Sequence, residues 1–346
     1  RKKRKGGVTD PRPFLRLSGR IFWAQILFCA RKMLEKTFPV DYTIKAKIFI
    51  ISVSGEFPKE KDGQVVMYKI LKKRILNPTV TLMEVDAPFV ARKAEPGQFI
   101  ILRVDEDGER IPLTVADFDR EKGTVTIIFQ IVGGTTERLN HLEEGEFIQD
   151  FVGPLGEPSH TEGLKKVAVI GGGVGCAIAY PVAKKLHGQG AEVHAVVGFR
   201  NRDLVILEDE FRAASDLLQV MTDDGSYGEK GLVTDALRAL IEAGNRYDEV
   251  IAIGPVMMMK FVSLLTKQYG IKTVVSMNPI MIDGTGMCGC CRVTVDGKMK
   301  FACVDGPDFD GHAVDFDELL KRSSTYKEFE KRERDLACNL FQKEVK

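Results

Sequence analysis

The chain lacks any run of eighteen apolar residues, so nothing in it spans a membrane by the usual length criterion. It has little net charge, formally +1 from 50 Lys and Arg against 49 Asp and Glu, and no recognisable nucleic-acid-binding module accompanies its basic residues. No nucleic-acid partner is therefore expected. Histidine is scarce at five residues, and His141 and His312 are read as surface or capping groups, so no triad-like catalytic residues are nominated. A second Cys-x2-Cys couple is missing as well. Only Cys288 and Cys291 make one, whereas structural zinc usually takes two separated couples.

What is present is ordinary in bulk and uneven in distribution. A length of 346 residues leaves room for two or three domains, and 44% hydrophobic with 29% charged residues is the composition of a globular protein. Residues 1–66 carry 15 Lys and Arg against 6 Asp and Glu, while the other 280 carry 35 against 43. The first stretch opens Arg1-Lys2-Lys3-Arg4-Lys5 and holds a short apolar run at Ile21–Ala30, which is signal-like, but no small-residue cleavage site follows. A basic arm for nucleic acid is a second reading. The favoured reading is a misassigned start, with the orderly pattern beginning at Met67-Tyr68-Lys69-Ile70-Leu71 and residues 1–66 outside the packed core.

Seven cysteines are present, and four of them fall between positions 288 and 303. That clustering suits a metal site in a reducing cytoplasm better than a disulfide scaffold. The spacing is Asp283-x4-Cys288-x2-Cys291-x11-Cys303. A plant-type [2Fe–2S] site uses Cys-x4-Cys-x2-Cys and a distant fourth Cys, so this is that pattern with Asp in the first seat. Gly284, Gly286 and Gly289 suit a loop that brings backbone amides close to cluster sulfurs. A zinc knuckle and inert buried thiols are the competing readings.

From Met67 to about His160 the pattern is that of short strands. Apolar runs recur at Thr79–Val85, Phe99–Val104 and Thr124–Val132 with turn clusters between them, which suggests a small barrel. Two segments stand out, Arg110-Ile111-Pro112-Leu113-Thr114 and Phe129-Gln130-Ile131 running into Gly133-Gly134-Thr135-Thr136. The latter opens a helix whose free amides favour a phosphate, the alternative being a plain turn with a Thr cap. Beyond a Gly153-Pro154-Leu155-Gly156 linker the period changes. Val167–Ile170 is a buried strand followed by Gly171-Gly172-Gly173-Val174-Gly175-Cys176, a helical stretch to about Gly188 and a second strand at Glu192–Val197. This βαβ unit is the setting of the dinucleotide-binding turn, although Cys176, read as a small packing residue, holds the third glycine position. Strands at Leu218–Met221 and Val250–Ile253 end in Asp223-Asp224 and in Gly254-Pro255-Val256-Met257, at carboxyl ends where ligands of open α/β sheets sit.

Barrel, linker, glycine turn, Gly-Pro-x-Met segment and cysteine loop, in that order from residue 67 to about 310, resemble the ferredoxin–NADP reductase superfamily. Within it the chain resembles the branch of dihydroorotate dehydrogenase B electron-transfer subunits. Asp283 in place of that branch's first Cys looks like the small subunits of NADH-dependent reduced ferredoxin:NADP oxidoreductases, also called sulfide dehydrogenase beta subunits. The resemblance implies a β-barrel FAD domain at 67–160, an α/β Rossmann-like NAD(P) domain at 161–277, and a [2Fe–2S] segment with a C-terminal helix at 278–346. It implies a larger flavin and [4Fe–4S] partner subunit, ferredoxin reached through the complex, and no membrane. It also implies a flavin-dependent NAD(P)H/ferredoxin oxidoreductase subunit. Carried over, Pro112, Leu113 and Thr114 match the flavin-ring segment, with Arg110 one place early for the diphosphate Arg; Phe129, Gln130, Ile131, Gly134, Thr135 and Thr136 match the remaining FAD contacts. Gly171, Gly172, Gly173, Val174, Gly175, Asp223, Asp224, Gly254, Pro255, Val256 and Met257 match the nicotinamide dinucleotide side.

A pyridine nucleotide exchanges a hydride, an iron–sulfur cluster single electrons, and a flavin both, so FAD is expected between them. After Val197 the chain reads Gly198-Phe199-Arg200-Asn201-Arg202-Asp203, without an acid at the strand end for the ribose 2′-hydroxyl of NAD. Those arginines would suit NADP(H), whereas the resemblance points to NAD(H), which is the expectation adopted. In the cysteine loop, the adjacent Cys290 and Cys291 can hardly both face one cluster. The expected ligands are therefore Asp283, Cys288, Cys291 and Cys303, with Cys290 the alternative to Asp283.

Overall fold

The structure is a computed structural model and describes residues 67–325 together with Arg332. The chain divides between Val66 and Met67, and the expectation for residues 1–66 lies outside the described residues. The first layer is an antiparallel barrel. Its elements are β1 (Tyr68–Asn77), β2 (Val80–Asp86), α1 (Pro88–Ala91), β3 (Phe99–Arg103), β4 (Ile111–Asp119), β5 (Thr124–Gln130), α2 (Gly134–His141), β6 (Phe147–Ile148) and β7 (Asp150–Leu155). The strand order is β6-β1-β2-β5-β4-β3-β7, and every pairing is antiparallel. Strand β5 shows why this stretch folds so. Val125, Ile127 and Phe129 point into the barrel and are fully buried, while the alternate Ile128 packs on the other side against the next domain. Full burial of each such side chain contributes about 1.5–3 kcal/mol.

The second layer comprises β8 (Lys166–Gly172), α3 (Cys176–Gly188), β9 (Glu192–Phe199), α4 (Glu208–Ala213), β10 (Leu217–Thr222), β11 (Glu229–Lys230), α5 (Val233–Glu242), β12 (Glu249–Ile253), α6 (Val256–Gln268) and β13 (Thr273–Ser276). After it come the hairpin β14 (Arg292–Val295) and β15 (Lys298–Phe301), then β16 (Asp308–Asp310) and α7 (Phe316–Ser323). The sheet order is β11-β10-β9-β8-β12-β13-β16, parallel throughout except for β16, which runs antiparallel to β13. Its central strands read as unbroken apolar runs because helices cover both faces. The chain reverses direction of progress between β8 and β12, and that switch point opens a crevice at their carboxyl ends. Among the described residues no helix is long and apolar enough to cross a membrane.

Two apolar seams join barrel and sheet. Val80, Ala116 and Ile128 of the barrel pack with α3, and Phe99 and Ile101 pack with Met281, Cys291, Cys303 and Phe309 of the last segment. A polar joint lies between them. The Ser159 hydroxyl donates to Asp308 Oδ2 at 2.5 Å, and Ser159 N donates to Pro96 O at 2.8 Å, so one serine ties the barrel, the linker and β16 together. The Asp308 backbone runs at the sheet edge, but its carboxyl is enclosed and Oδ1 has no partner among the described residues.

Burial raises the Asp308 pKa despite hydrogen bonds from Ser159 and Ser276, and Glu249 adds to the rise. A raised folded-state pKa means that the native state holds the proton more tightly than the unfolded chain. The stability is then greatest below the ordinary Asp value of about 4 and declines as pH rises from there to the folded pKa. Asp308→Asn removes this titration. In urea denaturation from pH 4 to 7 the variant gains stability relative to the native chain as pH rises; a difference independent of pH would show that the carboxyl titrates normally.

Candidate functional site

At the switch point two backbone segments touch. A Cβ on Gly175 would lie 2.6 Å from Gly254 Cα and 2.6 Å from Ile253 O, and a Cβ on Gly172 would lie 2.4 Å from Met258 Sδ. The predicted turn Gly171–Gly175 and the predicted segment Gly254–Met257 are thus brought together, and only glycine permits the approach. Helix α3 opens directly after the turn with no side-chain cap and no acidic residue in its first turn, which leaves its positive end for an anion. Cys176 is fully buried, and burial holds its thiol far above the ordinary range, as a packing residue requires. Asp223 and Asp224 follow β10, and their amides donate to Phe199 O at 3.0 Å and Arg200 O at 3.3 Å. Two acids of the neighbouring strand's end thus stand beside the end of β9, which carries none of its own. Hydrogen bonds from Ser226 hold the Asp224 carboxyl below its ordinary range, while Arg202 is turned over the Tyr227 ring at 5.6 Å.

The flavin candidates lie on the barrel side of the same crevice. Strand β5 runs against the Gly173–Gly175 turn, and Gln130 shares the face of Ile128, towards the nucleotide sheet. Pro112, Leu113 and Thr114 are half-buried on β4. Arg110 is exposed just before that strand, and its neighbour Glu109 accepts from the Thr135 hydroxyl at 3.2 Å, so the two predicted phosphate elements are adjacent. Phe129 points into the barrel core and offers a ligand only its backbone. The Thr136 hydroxyl accepts from Val132 N and Gly133 N, both at 3.0 Å, and donates to Gly133 O at 2.9 Å. It shapes the turn, which leaves the start of α2 at Gly134 and Thr135 as the anion-facing part. A groove of about 490 Å³ beside Glu84, Asp117, Thr126 and Lys184 is at the other end of β4 and β5 and belongs to none of this.

The cysteine loop closes on itself through Asp283, whose Oδ1 accepts from Thr285 N and Oδ2 from Cys288 N, both at 2.8 Å. The hairpin β14–β15 returns Cys303 to Cys291, with the sulfurs 3.2 Å apart and both residues buried. Cys288 is exposed and Cys290 half-buried beside it. Burial, then Cys288, Cys291 and Asp283, push the Cys290 thiol up; burial and Cys291 push Cys303 up to about 12, against an amide donated from Gly286. Thiols crowded in this way ionise when a cation replaces their protons. The donor set thus fits an iron–sulfur group, although among the described residues no three His, Cys, Asp or Glu side chains converge on one metal position. The loop sits on the barrel: a Cβ on Gly284, at φ +73°, would lie 2.7 Å from Leu155 Cδ1 and 3.1 Å from Ile101 Cγ1. Ile101 pairs with Pro112, so the loop is one strand away from the flavin-ring segment.

Two features escape sequence reasoning. Ile280, Ile282, Met287, Met299 and Val304 of the cluster segment are exposed apolar side chains, with Met287 at 68% exposure. Alternation about the buried Met281 was the available signal. The other is Arg322 on α7, which donates to the carbonyls of Cys290 and Arg292. A cation in the last turn of an amphipathic helix gives no hint of so distant an acceptor.

A model of the iron–sulfur cluster binding domain of dihydroorotate dehydrogenase B matches residues 278–315. A Clostridium beijerinckii protein known as the uncharacterized protein in the adh 3′ region is 54% identical over 269 residues, which cover 75% of this chain and 91% of that one. The Thermotoga maritima homolog of the dihydroorotate dehydrogenase B (NAD(+)) electron transfer subunit is 49% identical over 269 residues, covering 78% of this chain and 95% of the relative. A solved structure of NADH-dependent reduced ferredoxin–NADP oxidoreductase, described for its flavin-based electron bifurcation, is 46% identical with a TM-score of 0.75, covering 81% of this chain and 99% of that one. With nearly the whole of the Thermotoga relative aligned on the barrel, the crevice and the cysteine loop, the chain belongs to the family of dihydroorotate dehydrogenase B electron-transfer subunits, on a ferredoxin–NADP reductase fold.

Proposed function

We propose that the chain passes electrons between NAD(H), FAD and a [2Fe–2S] cluster and delivers them to a larger partner subunit, in a ferredoxin:NADP oxidoreductase of the electron-bifurcating kind. The observation that carries this reading is adjacency: the glycine turn lies against β5, and the cysteine loop lies one strand from Pro112–Thr114. FAD, when bound, exchanges a hydride with nicotinamide and single electrons with a cluster. The chain's own part is placement. Gly171–Gly175 and the start of α3 hold the dinucleotide phosphates, Asp223 and Asp224 the ribose, and Gly254–Met257 the nicotinamide end. Arg110 and the Gly134–Thr135 amides hold the flavin phosphates, with Pro112–Thr114, Gln130 and Ile131 along its ring. The domain limits follow as 67–160, 161–277 and 278–346, and the free thiols suit the reducing cytoplasm. The second reading, a dihydroorotate dehydrogenase partner, has the same fold; Asp283 in the first ligand seat favours the ferredoxin-linked complex.

The partner reading is supported by the relatives' name as electron transfer subunits, and exposed Ile280, Ile282, Met287, Met299 and Val304 of the cluster segment are the apolar side chains proposed to meet the partner. A larger flavin and [4Fe–4S] subunit is the occupant proposed, with ferredoxin reached through it. Met287→Glu leaves the visible spectrum of the chain intact and lowers recovery of the larger subunit in copurification. Unchanged recovery of that subunit would place the interface elsewhere.

For the nucleotide, an ionised Asp224 accepts from a ribose 2′-hydroxyl and repels a 2′-phosphate. NADH therefore reduces the flavin with an efficiency about tenfold or more above that of NADPH, and Asp224→Ser narrows the ratio. Stopped-flow reduction with both nucleotides measures it, and a tenfold preference for NADPH would overturn the assignment.

For the cluster, Asp283, Cys288, Cys291 and Cys303 are the proposed ligands. The Asp283 carboxylate has acceptor capacity beyond its two amide contacts and is a harder ligand for iron. Cys290→Ser keeps the cluster spectrum nearly unchanged, and Asp283→Cys assembles a cluster with all-thiolate absorption and EPR. Loss of the cluster in Cys290→Ser, with an intact spectrum in Asp283→Ala, would make Cys290 the fourth ligand.

A further inference from the structure

We propose that Arg322 is a positioning residue for the cluster loop and raises the reduction potential of the group held there; this rests on the [2Fe–2S] reading above. The carbonyls of residues 289 to 292 are all engaged. Arg292 Nη1 donates to Gly289 O at 3.2 Å, Arg322 Nη2 to Cys290 O at 2.9 Å, Ala302 N to Cys291 O at 3.0 Å, and Arg322 Nη1 to Arg292 O. In a planar trans peptide the carbonyl of one residue and the amide of the next point in opposite directions. Holding the Gly289 and Cys290 carbonyls against guanidinium groups therefore turns the amides of Cys290 and Cys291 the other way, away from those arginines.

Arg322 is well anchored for this. Asp315 caps α7 by accepting from Glu318 N at 2.9 Å, Phe316 and Leu319 are buried in the same core as Cys291 and Cys303, and Lys260 of α6 pairs with Asp317 at 2.6 Å. Arg322 itself is half-buried. Cluster potentials are set by net charge, exposure and hydrogen bonds to sulfur. A fixed cation beside the loop favours the more negative reduced state, and a fork that fixes two carbonyls also fixes the peptide planes between them. Lysine would keep the charge without the fork, and glutamine would give up the charge and one of the two donors' geometry.

The test is an EPR-monitored redox titration of the complex with its cofactors, comparing the native chain with Arg322→Gln and Arg322→Lys. The midpoint potential becomes more negative in both, further in Arg322→Gln, and the EPR line shape changes, while the rate of flavin reduction by NADH is unaltered. If Arg322→Gln does not fold, Arg322→Lys decides: a negative shift supports the assignment, and the native potential and line shape overturn it. Native values in a fully loaded Arg322→Gln overturn it likewise. A native chain without any cluster signal would instead sink the [2Fe–2S] reading, so the two failures are separable.

Discussion

Ile101 and Leu155 leave no room for a side chain at position 284, and the seating of the cysteine loop depends on that contact. Gly284 adopts φ +73°, open to glycine at little cost, and its backbone lies directly on the outer side chains of β3 and β7. Strand β3 in turn pairs with the segment read as facing the flavin ring. On the proposed reading, an electron carrier in the loop and one on the barrel would be separated by a single layer of packed side chains. Protein interiors are dense enough that such a contact defines a distance rather than a range.

The crevice obeys a similar rule at its other wall. Gly175 and Gly254 meet backbone to backbone, so the two nucleotide segments cannot separate without opening the sheet between β8 and β12. The loop differs in kind. Its thiols are crowded and their ionisation is opposed by one another, while its carbonyls are held by Arg292 and Arg322 from outside. Backbone geometry in the loop is fixed by neutral and cationic donors.

The elements most legible in the sequence were those with local signals. The run Val167–Ile170 with its glycine turn is declared by neighbouring residues and is found at that place. Other parts depend on partners far along the chain. Strand β16 is three residues, Asp308–Asp310, without alternation long enough to read, and it exists because β13 offers an edge. That Asp224, after β10, stands beside the end of β9 required knowing that these two strands pair. Thr136 was legible as a phosphate-turn residue only in type; its hydroxyl is directed to its own turn by geometry that composition does not encode.

Strand β16 also bears on how the protein is made. A parallel sheet tolerates a bare edge poorly, because unpaired amides and carbonyls recruit other strands. The β13 edge emerges from the ribosome with Thr273–Ser276 and stays open until Asp308–Asp310 have been synthesised, after the whole cysteine loop. Closure of the nucleotide sheet is thus the last step on that side, and any failure of the loop to settle prolongs the interval in which nascent chains can pair with one another. The segment that matches the iron–sulfur cluster binding domain is, during synthesis, the cover of an aggregation-prone edge.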